Sequence, residues 1–243
     1  MILLPLLLLA ADGPGDARFA ECAALAAADP KAAIDRADAW RIAGGGVPAR
    51  QCLALAYAAQ QRFVPAAVAF EQAARDAEIA HDSHAATLWV QAGNARLAAK
   101  EPGPARAAFD AAITHGVLTG DQLGEAHLDR ARAKVALADL PGARADLDAA
   151  LKLVPADPLG WLLSATLARR MNDLPRARTD IGEAQKRSPD DASVALEAGN
   201  IGILSGTPDG AKIAWAQAVK NQPGSEAARA ATAALAQLEQ DSP

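Results

Sequence analysis

Few residues in this chain of 243 stand at spacings that could do chemistry. His81 and His84 form an H-x-x-H pair, but they fall in a connector with no cysteine or acidic set to complete a ligand group. A metal site needs three or four ligands, so the pair reads as part of a solvated loop. His115 and His127 are isolated, and no Ser-His-Asp order, phosphate-cradling glycine loop or glycosidase carboxylate pair is present. Gly44-Gly45-Gly46 is more simply a helix stop. The expectation is therefore no catalytic residue, no metal and no cofactor. Cys22 and Cys52 are the two cysteines, and two readings of them stay open. They form a disulfide if the chain works in an oxidising compartment, or they are free thiols buried in a helical core.

Composition narrows the elements that could position any site. Lys and Arg number 24 against 29 Asp and Glu, a net charge of -5, and no basic run occurs. That argues against nucleic acid held through its phosphates. Hydrophobic residues make up 51% and aromatic ones 4%; alanine dominates and β-branched residues are sparse, which favours helix over sheet. No apolar stretch reaches the roughly 18 to 20 residues that span a bilayer. Met1–Ala11 is apolar, ends in Ala10-Ala11, and breaks into Asp12-Gly13-Pro14. It resembles a secretory signal, although no Lys or Arg stands near Met1. An interfacial anchor or a misassigned start are its alternatives; export would place the chain in a bacterial periplasm.

From Gly124 to Pro223 one pattern is written three times. Leu140-Pro141 returns as Leu174-Pro175, Ala150 as Ala184 and Ala218, and Pro155 as Pro189 and Pro223, each at a step of 34 residues. Leu147, Ile181 and Trp215 keep the same interval. Such a period marks stacked units, each lending its apolar face to a neighbour. Within a unit, residues 158–171 form one uninterrupted helical run, and a turn near Asn172 leads to a second run from Pro175. Proline belongs in a helix's first turn, so Pro30, Pro65, Pro104, Pro141, Pro175 and Pro208 read as the openings of six second helices. Longer connectors are expected at 77–84 and 116–122.

These residues resemble the tetratricopeptide repeat. Trp161, Ala165, Ala177, Ile181, Ala184 and Pro189 fall at its spacings, as do Gly199, Ala211, Trp215, Ala218 and Pro223 one unit later. Arg130 departs from the pattern, where Leu is expected, and reads as a structural residue paired with Asp146. The resemblance implies an all-α, right-handed superhelical solenoid of about six helix-turn-helix units over 14–223, most regular over 124–223. A capping helix over 224–240 would follow, with Ala228, Ala231, Leu235 and Leu238 on one face.

In the repeat register Cys22 and Cys52 face each other across neighbouring first helices, within disulfide reach. Trp40, Trp89, Trp161 and Trp215 take packing places and read as core. First helices line the groove. Its ninth-place series is Asn94, Arg132, Thr166 and Asn200, with Arg169 and Arg170 adding positive charge and Leu128, Leu162 and Leu196 an apolar strip. The family's carboxylate clamp is absent, because Val90, Asp129, Leu159 and Leu163 replace its polar positions. The expected function is a non-catalytic scaffold holding a protein or peptide partner of some acidic character in the groove, in the cell envelope. Its rival is a cytoplasmic or membrane-tethered subunit of a multi-protein assembly.

Overall fold

The computed structural model describes residues 14–240, so the expected leader over Met1–Ala11 lies outside the described residues. Helices alone make up the regular structure of that span, and it divides into two compact units between Leu118 and Thr119. Unit 1 holds α1 (Pro14–Ala28), α2 (Pro30–Ile42), α3 (Gly46–Ala59), α4 (Phe63–Ile79), α5 (Ala85–Ala98) and α6 (Pro102–Thr114). Unit 2 holds α7 (Gly120–Ala136), α8 (Leu140–Leu153), α9 (Pro158–Arg170), α10 (Leu174–Arg187), α11 (Ala192–Leu204), α12 (Pro208–Asn221) and α13 (Glu226–Gln240). In each unit the helices pack as successive pairs, the arrangement of an all-α helical-repeat solenoid.

Local chemistry sets the ends of these helices. Pro30, Pro65, Pro104, Pro141, Pro175 and Pro208 all lie in the first turn of a second helix, where a missing N–H costs nothing. Asp29, Asp139, Asp157, Asp173 and Asp191 cap helix starts by accepting from backbone N–H groups two or three residues on, each stabilising by about 1 kcal/mol. First helices of unit 2 end in a left-handed residue, Ala138, Asn172 or Gly206, at φ 61°, 61° and 73°. The next N–H then donates to the carbonyl five residues back: Asp139 to Lys134, Asp173 to Ala168 and Thr207 to Gly202, at 2.8–2.9 Å. This Schellman-type closure satisfies orphan carbonyls and reverses the chain within three residues.

Pairs close through one small residue meeting one large residue sixteen positions later. Ala54 meets Phe70, Gly93 meets Phe109, Ala131 meets Leu147, Ala165 meets Ile181 and Gly199 meets Trp215, and all are buried. The two glycines face the largest rings: a Cβ on Gly93 would lie 2.6 Å from Phe109, and one on Gly199 would overlap the indole of Trp215. The extra length expected in the connectors is partly helix instead. α4 runs on to Ile79, and α7 starts at Gly120, so each has 17 residues. The tryptophans also divide. Trp40 and Trp215 are core residues, whereas Trp89 and Trp161 are only half-buried. Their indole N–H groups donate to Glu78 (2.7 Å) and to the Pro155 carbonyl (2.9 Å), and Arg75 and Arg187 stack over the rings.

Two covalent or ionic ties stand apart from this apolar packing. In unit 1, Cys22 of α1 and Cys52 of α3 are joined in a disulfide, with Cα atoms 6.0 Å apart and both residues buried. In unit 2, Asp146 of α8 is buried and receives Arg130 through Nε (2.9 Å) and Nη2 (2.5 Å), His127 (2.9 Å) and Lys134 (2.8 Å). The Arg130–Asp146 pair is the one the sequence leads one to expect. Burial alone would push this carboxyl up, but hydrogen bonds from His127, Arg130 and Lys134 outweigh it and hold Asp146 well below the usual carboxylate range. The same place 34 residues on is Asp180, which accepts from Ser164 and from Arg176 (3.2 Å), so the repeat writes one buried acid twice.

Two outcomes follow. Reducing the disulfide, which closes a separation of 30 residues, removes roughly 3 to 4 kcal/mol of constraint by the chain-entropy relation. Reductant therefore lowers the melting temperature of the wild type and leaves that of Cys22→Ala/Cys52→Ala unmoved, as calorimetry will read. Asp146→Ala strands the cations Arg130 and Lys134 and leaves His127 without its acceptor, and costs unit 2 on the order of 3 to 5 kcal/mol in urea unfolding. Because the folded-state value of Asp146 is depressed, its stabilisation is present above about pH 4 and is lost as pH falls below that. The wild type consequently loses more stability than Asp146→Ala on acidification from pH 5 to pH 2.

Candidate functional site

The first helices of unit 2 carry a repeated stripe. On α7 it is Glu125, Asp129 and Arg132; on α9, at steps of 34, it is Leu159, Leu163 and Thr166; on α11 it is Ser193, Glu197 and Asn200. These places share a helix face because 3.6 residues make a turn. Between α7 and α9 the stripe borders a concavity of about 150 Å³. Its floor is Ala131, Val135, Leu147, Leu163 and Leu167, and its rim is Arg132, Thr166 and Arg170. Three residues expected in the groove are thus brought together at one opening.

Their electrostatic states differ. Arg132 is exposed and donates to Asp129 (2.8 Å), one turn back on its own helix. Arg170, in the last turn of α9, is exposed and has no carboxylate partner among the described residues. Thr166 is half-buried, and its hydroxyl has no hydrogen-bond partner among the described residues. An apolar floor with a free guanidinium and a free hydroxyl at its edge can seat an aliphatic side chain while binding polar groups beside it.

Other expected groove residues are used internally, and the reasons are physical. Leu128 is 3% exposed and belongs to the core with Ala131 and Leu147. It points between paired helices and offers nothing to a ligand. Arg169 donates to the buried Glu197 of α11 through Nε (2.6 Å) and Nη2 (3.1 Å), so its charge ties two repeats. Asn200 accepts from the Trp215 indole N–H (3.1 Å) and donates to Glu197 (3.3 Å). Leu162 is half-buried against the α9–α10 core. Asn94 lies on α5 of unit 1 and is half-buried without a side-chain hydrogen bond among the described residues. His84, of the histidine pair, donates through Nδ1 to the Asp82 carboxylate (2.7 Å) on the loop.

Sequence reading missed Leu163 and Val135 as site residues. Leu163 entered it only as a place where a family clamp fails, although a leucine on the groove stripe is itself the signal of an apolar floor. It also missed the polar ladder on the neighbouring face, where Arg144 donates to the Ser164 hydroxyl (2.7 Å) and pairs with Asp148 (3.1 Å). Arg176 bridges Asp148 and Asp180 there. The 34-residue period does not predict that ladder: Arg144 recurs as the exposed Arg178, outside the ladder, and the place 34 before Arg176 is Gly142.

The fold is of tetratricopeptide type. The chain is similar to PilW, a widely conserved type IV pilus biogenesis factor, with a TM-score of 0.72 and 21% identity over 90% of this chain and 98% of that one. It is also similar to pilF of Pseudomonas aeruginosa (TM-score 0.70, 16% identity, 91% of this chain and 100% of that one). YrrB, a TPR protein with an unusual peptide-binding site, superposes with a TM-score of 0.60 at 18% identity, over 81% of this chain and 96% of that one. No protein-family model matches the sequence, and no curated protein does.

The internal role of Arg169 is open to a double-mutant cycle with Arg169→Met and Glu197→Gln. Pairs in direct contact couple by about 0.5 to 3 kcal/mol, so chemical unfolding of the four proteins returns a coupling inside that range. A coupling indistinguishable from zero would return Arg169 to the groove.

Proposed function

We propose that this protein is a non-catalytic scaffold that holds a segment of a partner protein on the first-helix face of unit 2. The observation that carries the reading is the concavity between α7 and α9, with its apolar floor and the rim of Arg132, Thr166 and Arg170. Binding there asks for shape and a few polar contacts, and no bond need be made or broken. The similar fold of YrrB, whose structure is described as having a peptide-binding site, supports use of such a surface for peptides.

The same reading places the protein in the cell envelope. Support comes from the apolar stretch Met1–Ala11, from the Cys22–Cys52 bridge, which persists in oxidising compartments, and from the fold shared with PilW, a pilus biogenesis factor. Among the described residues no helix is long and apolar enough to cross a membrane. The rival reading, a cytoplasmic or membrane-tethered assembly subunit, leaves that disulfide without a use.

Leu163→Asp places a charge on the floor of the concavity. Native partners crosslinked and co-purified from the source cell are expected to fall on the order of tenfold or more with this variant, as for a central interface anchor, while circular dichroism stays helical. Undiminished capture by a folded Leu163→Asp protein would rule out this surface. N-terminal sequencing of protein from the source cell tests export: a start beyond Ala11 is expected, and a retained Met1 contradicts it.

A further inference from the structure

The stripe that borders the concavity is not uniform in charge. α7 and α9 run side by side in the same direction. Their late residues Arg132 and Arg170 share one rim, and at their starts Glu125 of α7 lies in the field of Asp157, the cap of α9. The early end therefore carries Asp121, Glu125 and Asp157, and the late end carries Arg132 and Arg170. Apolar Leu159, 43% exposed, stands at the early end beside Asp157, and Leu163 lies between the two ends. Crowding is felt at the early end: partial burial, then Asp129, Asp121 and Asp157, hold the Glu125 carboxyl above its usual range. No cation among the described residues is paired with Glu125, Asp121 or Asp157, and no anion with Arg170.

We infer that the channel between α7 and α9 selects a dipolar partner segment: an aliphatic side chain seated on Leu163, a carboxylate on the Arg132–Arg170 side and a basic side chain on the Glu125–Asp157 side. The inference rests on the proposed binding face and adds to it the charge pattern and setting of the occupant. Complementarity supplies the occupant's chemistry: among the described residues Arg170 at one end and Asp121, Glu125 and Asp157 at the other have no opposite charge paired with them, whereas Arg132 already holds Asp129. An all-acidic segment would meet repulsion at Glu125, and an all-basic one at Arg170. The volume of about 150 Å³ is enough for one aliphatic side chain. Seven helical residues separate Glu125 from Arg132, about 10 Å along the axis. An extended peptide covers that distance in roughly three to four residues. Charges two positions either side of a central leucine then fall on the leucine's own face.

Capped nine-residue peptides test this by fluorescence anisotropy at low salt. Each has a central leucine, neutral polar residues elsewhere, and charged residues two positions to each side. One set carries an acid and a base, in either order; a second carries two acids and a third two bases. A split-charge peptide is expected to bind the wild type about fivefold tighter than either uniform peptide, the ratio one surface ion pair supplies, with the difference shrinking in salt. Arg170→Glu leaves Arg132, already paired with Asp129, as the only cation of the late end and moves the preference to the two-base peptide; Glu125→Lys, with Asp121 and Asp157 still in place, narrows the margin over the two-acid peptide. Both positions are exposed, so both variants keep the fold. Equal binding of all three sets, abolished by Leu163→Asp, overturns the dipolar inference and leaves the binding face standing. Binding by no peptide overturns the inference, and together with partner capture unaffected by Leu163→Asp it overturns the binding face as well.

Discussion

Everything in this fold depends on how closely two helices of a pair can approach. The distance is set where a glycine or alanine of the first helix meets a large side chain of the second, sixteen residues on. Gly93 admits Phe109 and Gly199 admits Trp215, the largest rings against the smallest residues, whereas Ala131 and Ala165 take the smaller Leu147 and Ile181. Ala54 nonetheless takes Phe70, so pair volume is not fixed, and each pair reaches close packing in its own way. Because the helices approach this closely, short left-handed turns at Ala138, Asn172 and Gly206 suffice to connect them. Each pair then presents one narrow first helix to its neighbour's. The concavity over Leu147 is what remains where α7 and α9 diverge above that shared floor.

Polar chemistry in unit 2 is subordinate to this packing. Asp146 and Asp180 occupy one repeat place and are buried, but the first draws on Arg130, His127 and Lys134 and the second on Ser164 and Arg176. One repeat further, Ala198 and Ala214 replace the pair altogether. A buried carboxylate is tolerable only when fully partnered, so such acids come with their donors or not at all. Arg169 and Glu197 obey the same rule between α9 and α11. Arg169 and Asn200 are engaged by the scaffold itself, whereas Arg170 and Thr166 have no such partner among the described residues.

Much of the fold was legible in the sequence because it is written periodically. Prolines in first turns, the small residues and their large partners, and the Arg130–Asp146 pair all recur or break a recurrence, and each has a geometric meaning at its repeat place. Boundaries between pairs were less legible: the extra residues of α4 and α7 could equally have been loop, since alanine-rich sequence accepts either and only packing decides. The site was half legible. Register tells which residues lie on first helices, and three of those, Arg132, Thr166 and Arg170, line one concavity. It does not tell which of them a neighbour has already engaged. Asn200 looks identical to a free groove residue until Trp215 is seen donating to it.

The bridge between Cys22 and Cys52 bears on how the array comes apart. Terminal units of a repeat stack have one neighbour instead of two, so thermal fluctuations ordinarily peel such arrays from their ends. In unit 1 the α1–α2 pair packs through Phe19, Ile34 and Trp40, and it is also riveted to α3 by a covalent bond. A pulling force applied at the N-terminal side therefore cannot unzip α1 alone. It must dislodge α3 with it, because the cross-link carries the force from Cys22 to Cys52.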